Sequence, residues 1–482
     1  MPLSKRVCVL LAVVLLAPLA ASADEPLSTV LTGQLQTNRQ RYGIAGQALL
    51  VARDGQVLFR GVDGEADLSR GTPVRTDSVF PMYSLSKLFA STLLMQLIEQ
   101  GEIDPQAPVG AYLRTLPAGW RDIPVQAFLD HTSGVPEYFS SLADGAASKA
   151  IALPAGLQAA FAAAADKPPQ FAPGTATRYT QTNYLVLAAL LSAHYAKPYA
   201  QVVEERIIQP LGLQHTWLGS VKGRREDVVT SYVGRNGKLV EEPDLAWPDY
   251  AYGHAALYSS LDDIARFLQA MASGKWVGRE TLQKLWQPVT LRDGRRGGFA
   301  GGWEYGQSDG YRQLGHDGGT RVRVRILFRD SLADDTYILV YLTNGSARNL
   351  WSRTLVDSVM GAVSAERFPA EALAEKLMAY ATAPTLEQDM EAQARRLRAS
   401  SHLEDEALER IVNNTGYSVR ENLGVEPSLR IFSLNTVLFP DSSNAWDSLA
   451  EAHAANGDGA MAEALYRKAG DLARERQAEG GP

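Results

Sequence analysis

A serine and a lysine three residues apart, Ser84 and Lys87 in the stretch PMYSLSKLFA (81–90), are the pair in this sequence best placed to do chemistry. Apolar residues at Leu85, Leu88, Phe89, Leu93, Leu97 and Ile98, ending at Gly101, predict a helix that opens at this pair. Ser84 would sit at the helix start, where free backbone N–H groups and the positive helix end favour a developing oxyanion. Lys87, one turn on and on the same face, would take the serine proton if desolvation or a nearby cation kept it neutral. The same residues also read as a capping serine followed by a solvated lysine, and roughly one or two such spacings arise by chance in a chain of this length. The pair alone leaves both readings open.

The elements that must position this pair are legible as two β-rich regions around a helical one. Apolar runs QALLVA and QVLFRG flank Asp54-Gly55, a strong hairpin signal. A second β region starts near residue 300: Trp303–Tyr305, a turn at Asp309-Gly310, Tyr311–Leu314, then RVRVRILF (321–328) and TYILVYLT (336–343). Some 240 residues of helical pattern lie between. The expected arrangement is a mixed α/β (α+β) fold, with both β regions in one antiparallel sheet and helices packed on it.

The chain has 482 residues, 45% hydrophobic and 21% charged, enough to bury a large core and to form more than one domain. A net charge of −7 gives no electrostatic reason to expect nucleic acid or an anionic membrane as partner. Lys5 and Arg6, the apolar run Val7–Leu19 and Ala21-Ser22-Ala23 read as an export signal over 1–23, cleaved to leave no membrane span. The single cysteine, Cys8, lies in that signal, so the mature chain would hold no disulfide, thiolate nucleophile or cysteine metal site. No metal or other cofactor is expected.

Several segments, in order, resemble the serine β-lactamase and penicillin-binding-protein superfamily, in its class C, esterase and D-aminopeptidase-like branch. They are VARDGQVLFRGVDGEAD, YSLSK, FLDHTSGVPEY, FAPGTATRYTQTNYLVLAALL, PLGLQHTWLG, LYSSLDDIARFL and WEYGQ…GHDGGT, across about residues 30 to 345. The resemblance implies a β-lactamase-like fold, with the active site between the sheet and a helical lobe. It implies Ser84 as nucleophile, Lys87 as base and Tyr179 as proton relay, provided a cation lowers the phenol's pKa. Where the family has asparagine two residues after that tyrosine, this chain has Gln181. Its amide lies one methylene further out, and Asn183 is not an obvious replacement. The third family element appears as His316-Asp317-Gly318, with His316 and Gly318 on one strand face. The N–H groups of Ser84 and Gly319 would form the oxyanion hole. His131 reads as packing.

A mostly neutral His316 weakens the anchor that a β-lactam or D-peptide carboxylate would need. Arg321, Arg323 and Arg325 share one strand face, either to receive an anionic group or, by the stronger expectation, as a solvated or salt-bridged face. The expected function is therefore an exported serine hydrolase, periplasmic or secreted, cleaving an ester or amide of a small molecule through an acyl-enzyme. A β-lactamase or D,D-peptidase is the alternative within the class. A catalytically impaired binding protein is the alternative outside it.

Strand signals vanish after residue 370, so the hydrolase domain is placed at 24–370 and a helical linker at 371–400. Thr385/Gln388 and Ser401/Glu404 have capping-box spacing. Trp446, Leu449, Ala450, Gly457, Ala462, Tyr466 and Ala469 fall at tetratricopeptide spacings, with Pro440, Phe432 and Gly416 at matching positions one period earlier. The tail, 401–482, resembles a short tetratricopeptide-like array, too short to stand alone, and is expected to dock on the main domain or on a protein partner.

Overall fold

The computed structural model describes residues 26–139, 153–221, 226–242, 245–348, 350–383, 389–401 and 403–478. The expected export signal and the Thr385/Gln388 pair lie outside them. Asp54 and Gly55 both adopt positive φ (51° and 78°), and this two-residue turn folds Gly46–Arg53 back on Gln56–Asp67. Gly46–Arg53 pairs antiparallel with Tyr337–Thr343, joining the two β regions in one sheet, as the sequence predicts. Among the described residues the sheet has eight strands. They run, edge to edge, Thr72–Pro73, Gln56–Asp67, Gly46–Arg53, Tyr337–Thr343, Val322–Phe328, Tyr311–Gly318, Trp303–Ser308 and Phe299–Ala300.

Both faces of the sheet are covered, so its central strands are buried on both sides. Ala48, Leu50, Val324, Val340 and Leu342 face an inner core with the helices Ser86–Glu99, Thr182–Tyr195 and Leu261–Ser273. Leu49, Val51, Leu339 and Tyr341 face an outer core with the helices Leu27–Tyr42, Ser352–Val363 and Pro369–Thr382. A smaller sheet of Val79–Tyr83, Leu257–Ser260 and Trp217–Leu218 lies next to the inner core. Its strand Val79–Tyr83 delivers the chain to Ser84.

The C-terminal region is all-helical, and it is docked. Leu408, Val412, Val419, Ile431 and Leu434 belong to the same outer core as the sheet residues Leu339 and Tyr341. Polar contacts reinforce the seam: Trp351 N–H donates to Asn422 Oδ1 (2.8 Å) and Arg348 to the Leu423 carbonyl (3.2 Å). Farther along, Phe432 lies over Gly416, where a Cβ would come within 2.5 Å of the ring, and packs with Leu449 and Trp446. The Ser401/Glu404 capping box does not form. Ser401 ends the helix Met390–Ser401, and the next helix starts at Asp405 behind an extended Glu404 with no side-chain cap. Ser401 Oγ instead donates back to the Arg398 carbonyl, as serine hydroxyls do within a helix.

A shared core means that the tail and the sheet unfold together. Leu408 is fully buried in it, so Leu408→Ala should cost about 2–5 kcal/mol in one cooperative urea transition, followed by both far-UV and aromatic near-UV signals. Two separated transitions would show the tail to be an independent unit.

Candidate active site

Ser84 lies in the turn between the strand Val79–Tyr83 and the helix Ser86–Glu99. The turn is sharp because Tyr83 takes φ +49°, a left-handed conformation that costs a non-glycine residue about 1–2 kcal/mol. Its neighbours hold it there. Ser86 Oγ donates to the Tyr83 carbonyl (2.7 Å) and accepts from Leu257 N–H (3.1 Å). Arg321 donates to the Tyr83 hydroxyl (2.6 Å) and lies over its ring. Gly318 brings the sheet against the same turn, since a Cβ there would come within 2.3 Å of Val322 and 2.4 Å of the Met82 carbonyl.

Lys87 is fully buried, and its Nζ has three neighbours: Gln181 Oε1 at 2.6 Å, the His254 carbonyl at 3.1 Å and Ser84 Oγ at 3.3 Å. Burial pushes the Lys87 amine well below its ordinary pKa, against the opposing pull of Glu137 and Glu304. A neutral amine has two N–H bonds and one lone pair. The two carbonyl oxygens can only accept, so they fix both N–H bonds and turn the lone pair to the Ser84 hydroxyl. Gln181 thus reaches Lys87 despite its extra methylene. Its backbone N–H donates to Glu137 Oε2 (2.8 Å), which pins the residue ahead of the helix Thr182–Tyr195.

Tyr179 donates from its hydroxyl to Ser84 Oγ at 2.8 Å. The residue keeps 36% of its surface exposed, yet removal of the phenol from bulk water raises its pKa, and the charges of Glu304 and Glu137 add to the effect. The expectation of a phenol lowered by a cation is therefore corrected: burial, with Glu304 and Glu137, outweighs the hydrogen bonds to Ser84 and Gln181, and Tyr179 stays a proton donor at neutral pH. His131 packs against the Tyr179 ring (4.6 Å between centroids), and its Nδ1 is 3.3 Å from Thr180 N and 2.9 Å from Asn183 Nδ2. Asn183 is further engaged by Ser133 Oγ (2.6 Å). The "HTSG" segment and Asn183 therefore hold Tyr179 from behind.

His316 is buried, its ring 5.8 Å from that of Tyr179. Its Nδ1 lies 2.7 Å from the Asp317 carbonyl, which can only accept, so Nδ1 carries the proton. Nε2 is buried without a partner among the described residues. Burial lowers the imidazole's pKa; Glu304, with Oε1 3.5 Å from Nδ1, raises it and Lys87 lowers it. Gly319, at φ +55°, places only open space and the edge of the Tyr83 ring beside its Cα. Among the described residues, neither the Ser84 nor the Gly319 N–H has a backbone acceptor in the turns and loops.

Arg321 pairs with Glu242 and Tyr83. Arg323 and Arg325 are ion-paired but buried, on Asp317 and on Asp317 with Glu304. The expected salt-bridged face exists, in the interior rather than in solvent. Sequence reading singled out neither Glu137 nor Glu304, although each lies in a quoted segment, GVPEY and WEYGQ. Glutamate in a polar stretch carries no sign of which partner it will meet.

Because Glu304 is the largest of the groups that raise His316, Glu304→Gln should lower the imidazole's pKa further. A ring ¹H–¹⁵N titration should show His316 with its proton on Nδ1, titrating below the ordinary imidazole range, and lower still in the variant. A rise instead would contradict the assigned pairing.

The family model described as Beta-lactamase matches residues 31–351. A D-aminopeptidase of Brucella anthropi is 28% identical over 289 residues, 58% of this chain and 53% of that protein. Penicillin-binding protein 4* of Bacillus subtilis (strain 168) is 24% identical over 317 residues, 61% of this chain and 67% of that one. The chain thus spans about half the length of the D-aminopeptidases that it matches. Among solved structures, EstCE1, "a hydrolase with promiscuous acyltransferase activity", shares the fold with TM-score 0.59 at 21% identity, over 71% of this chain and 99% of that one. The D-amino acid amidase of Ochrobactrum anthropi SV3 gives TM-score 0.57 at 21% identity, over 70% and 99%. The matched span carries the whole sheet, the Ser84 turn and the helices of the inner core, and this chain belongs to the Beta-lactamase family.

Proposed function

We propose that the chain is an exported serine hydrolase that cleaves an ester or amide bond through an acyl-enzyme on Ser84. The observation that carries this reading is the serine oxygen held between two groups of opposite proton role: the Tyr179 hydroxyl at 2.8 Å and the Lys87 amine at 3.3 Å. Ser84 gives its proton to Lys87 as Oγ attacks the carbonyl carbon. The oxyanion is received by the N–H groups of Ser84 and Gly319, donors of a kind worth about 2.7–4 kcal/mol each. Tyr179 then passes its proton to the leaving group and is refilled from Lys87. Water, activated by the same pair, releases the acyl group.

The cleft favours an uncharged acyl group. His316 is held neutral, Glu304 stands behind it, and Arg321 is occupied by Glu242 and Tyr83. A β-lactam or cell-wall peptide carboxylate would find no fixed cation among these groups, which supports an ester or amide substrate over an efficient β-lactamase. The names of the relatives, D-aminopeptidase and D-amino acid amidase, support an amide or peptide. Residues 1–23 would direct the chain to the periplasm or the medium. The docked tail, read as tetratricopeptide-like, would leave its outer helices for a protein partner; Tyr466 there is exposed.

Intact mass after incubation with a fluorophosphonate should show one adduct that is absent in Ser84→Ala, while ester or amide turnover by that variant falls by on the order of 10⁴-fold. Folded protein that never labels would overturn the reading. A lasting penicillin adduct would move the substrate towards β-lactams and D-peptides. Tyr179→Phe should slow labelling and turnover by about 10²–10⁴-fold. The labelling rate should persist far below pH 10.5 and fall only as acid protonates Lys87, because the base must be neutral and burial lowers its pKa. A rate that tracks an ordinary lysine would contradict the lowered pKa of Lys87.

A further inference from the structure

On the face of the sheet away from Ser84, two cavities of about 630 and 650 Å³ open between the sheet, the helices Ser352–Val363 and Pro369–Thr382, and the tail helix Asp405–Leu423. They share four wall residues, Arg353, Asp357, Glu371 and Asn414. The tail closes one side, so the space exists only because the tail is docked. It takes no part in the chemistry at Ser84.

The walls contain a buried donor that the protein leaves unpaired. Arg323, 4% exposed, gives Nη1 to both oxygens of Asp317 (2.6 Å each), but its Nε–H is buried without a partner among the described residues. Burial lowers even this guanidinium, to about 10. Glu371, 8% exposed, accepts from Ser308 on Oε1 (2.9 Å) and meets the Asp309 carboxylate. Burial, with the hydrogen bond to Asp309 and its charge, pushes the Glu371 carboxyl up to about 9, so its proton is held between the two acids. A buried N–H such as the Arg323 Nε–H is costly to leave unpaired.

The remaining charges come in both signs. Arg353 and Asp357 lie one helical turn apart and line both cavities, yet they form no ion pair with each other or with any other described residue. Burial raises the Asp357 carboxyl, and Arg323 and Arg353 pull it back. Of the other acids in the wall, Glu375 is neutralised by a bidentate Arg41 and Glu421 has a partner. A bare anion would meet Asp357, and a bare cation would meet Arg353 and Arg323.

We propose that this interdomain cavity is a binding site for a small zwitterion, a free amino acid or dipeptide. Its carboxylate is received by the Arg323 Nε–H and Arg353, and its ammonium by Asp357. The site is distinct from the Ser84 cleft but shares Phe299, whose ring lies 6.0 Å from that of Tyr179, and Glu304 with its surroundings. Glu304 lines the cavity, accepts from Arg325 at 2.6 Å and faces His316 with its other oxygen.

Calorimetric titration of the full Ser84→Ala chain with glycylglycine tests the proposal, against N-acetylglycine, which lacks the ammonium, and glycinamide, which lacks the carboxylate. Glycylglycine should bind, and each of the other two should bind at least tenfold more weakly. Asp357→Asn and Arg353→Gln should each weaken glycylglycine binding about tenfold or more. Arg353 is at an exposed position, so its variant keeps the test open should Asp357→Asn fold poorly. Absence of glycylglycine binding at millimolar concentration, or binding that survives the folded Arg353→Gln variant, overturns the proposal. N-acetylglycine binding as tightly as glycylglycine would also overturn it, by showing a simple anion site.

Discussion

A lysine with no access to water constrains this structure more than any other side chain. Lys87 can be buried only if it gives up its proton or is fully paired. The protein surrounds its amine with two carbonyl acceptors from distant segments, Gln181 ahead of the helix Thr182–Tyr195 and the backbone of His254, and with the Ser84 hydroxyl at the head of its own helix. A neutral amine held in this way turns its lone pair to Ser84. The arrangement also requires distant segments to converge on a point, because neither carbonyl can be supplied by the helix that carries Lys87. Glu137 and the His131–Asn183–Ser133 network fix the lobe side of that convergence.

The sheet side is fixed by small residues and one strained one. Gly318 allows the strand Tyr311–Gly318 to approach the Met82 carbonyl, so the turn that bears Gly319 comes beside the turn that bears Ser84. Tyr83, in a left-handed conformation, aims Ser84 out of its strand, and Arg321 holds Tyr83 by hydrogen bond and ring contact. The occupied Arg321 and the neutral His316 leave this rim without a fixed positive charge, which bears on substrate choice as much as on geometry.

The same sheet serves two cores. Its inner face supports the Ser84 site, and its outer face supports the tail. The ion pairs of Arg323 and Arg325 stand between the strands and the docked helices, and the Asp317 carboxylate that neutralises them follows His316 directly in the chain. Alternation along a strand puts neighbours on opposite faces, so one dipeptide step, His316-Asp317, links the cleft to the interdomain cavity.

Much of the fold was legible in the sequence because it rests on local backbone preference. Asp54-Gly55 reads as a tight turn since few residues accept positive φ there, and Ser84-x-x-Lys87 at the head of an apolar stripe places both residues on one helix face. Ser84, Lys87, Tyr179 and His316 could be named on these grounds together with the family resemblance. Sequence alone did not show that Gln181 meets Lys87 across 94 residues, that the His254 carbonyl meets it across 167, or that Glu304 stands behind His316. Nor did it show the Tyr179 phenol raised rather than lowered, or two arginines of an apparently solvated strand buried under the tail. Local pattern fixes which residues can occupy a turn, strand or helix face. Which polar groups lose their water, and which partners they then find, is decided only when the lobes and the tail close on the sheet.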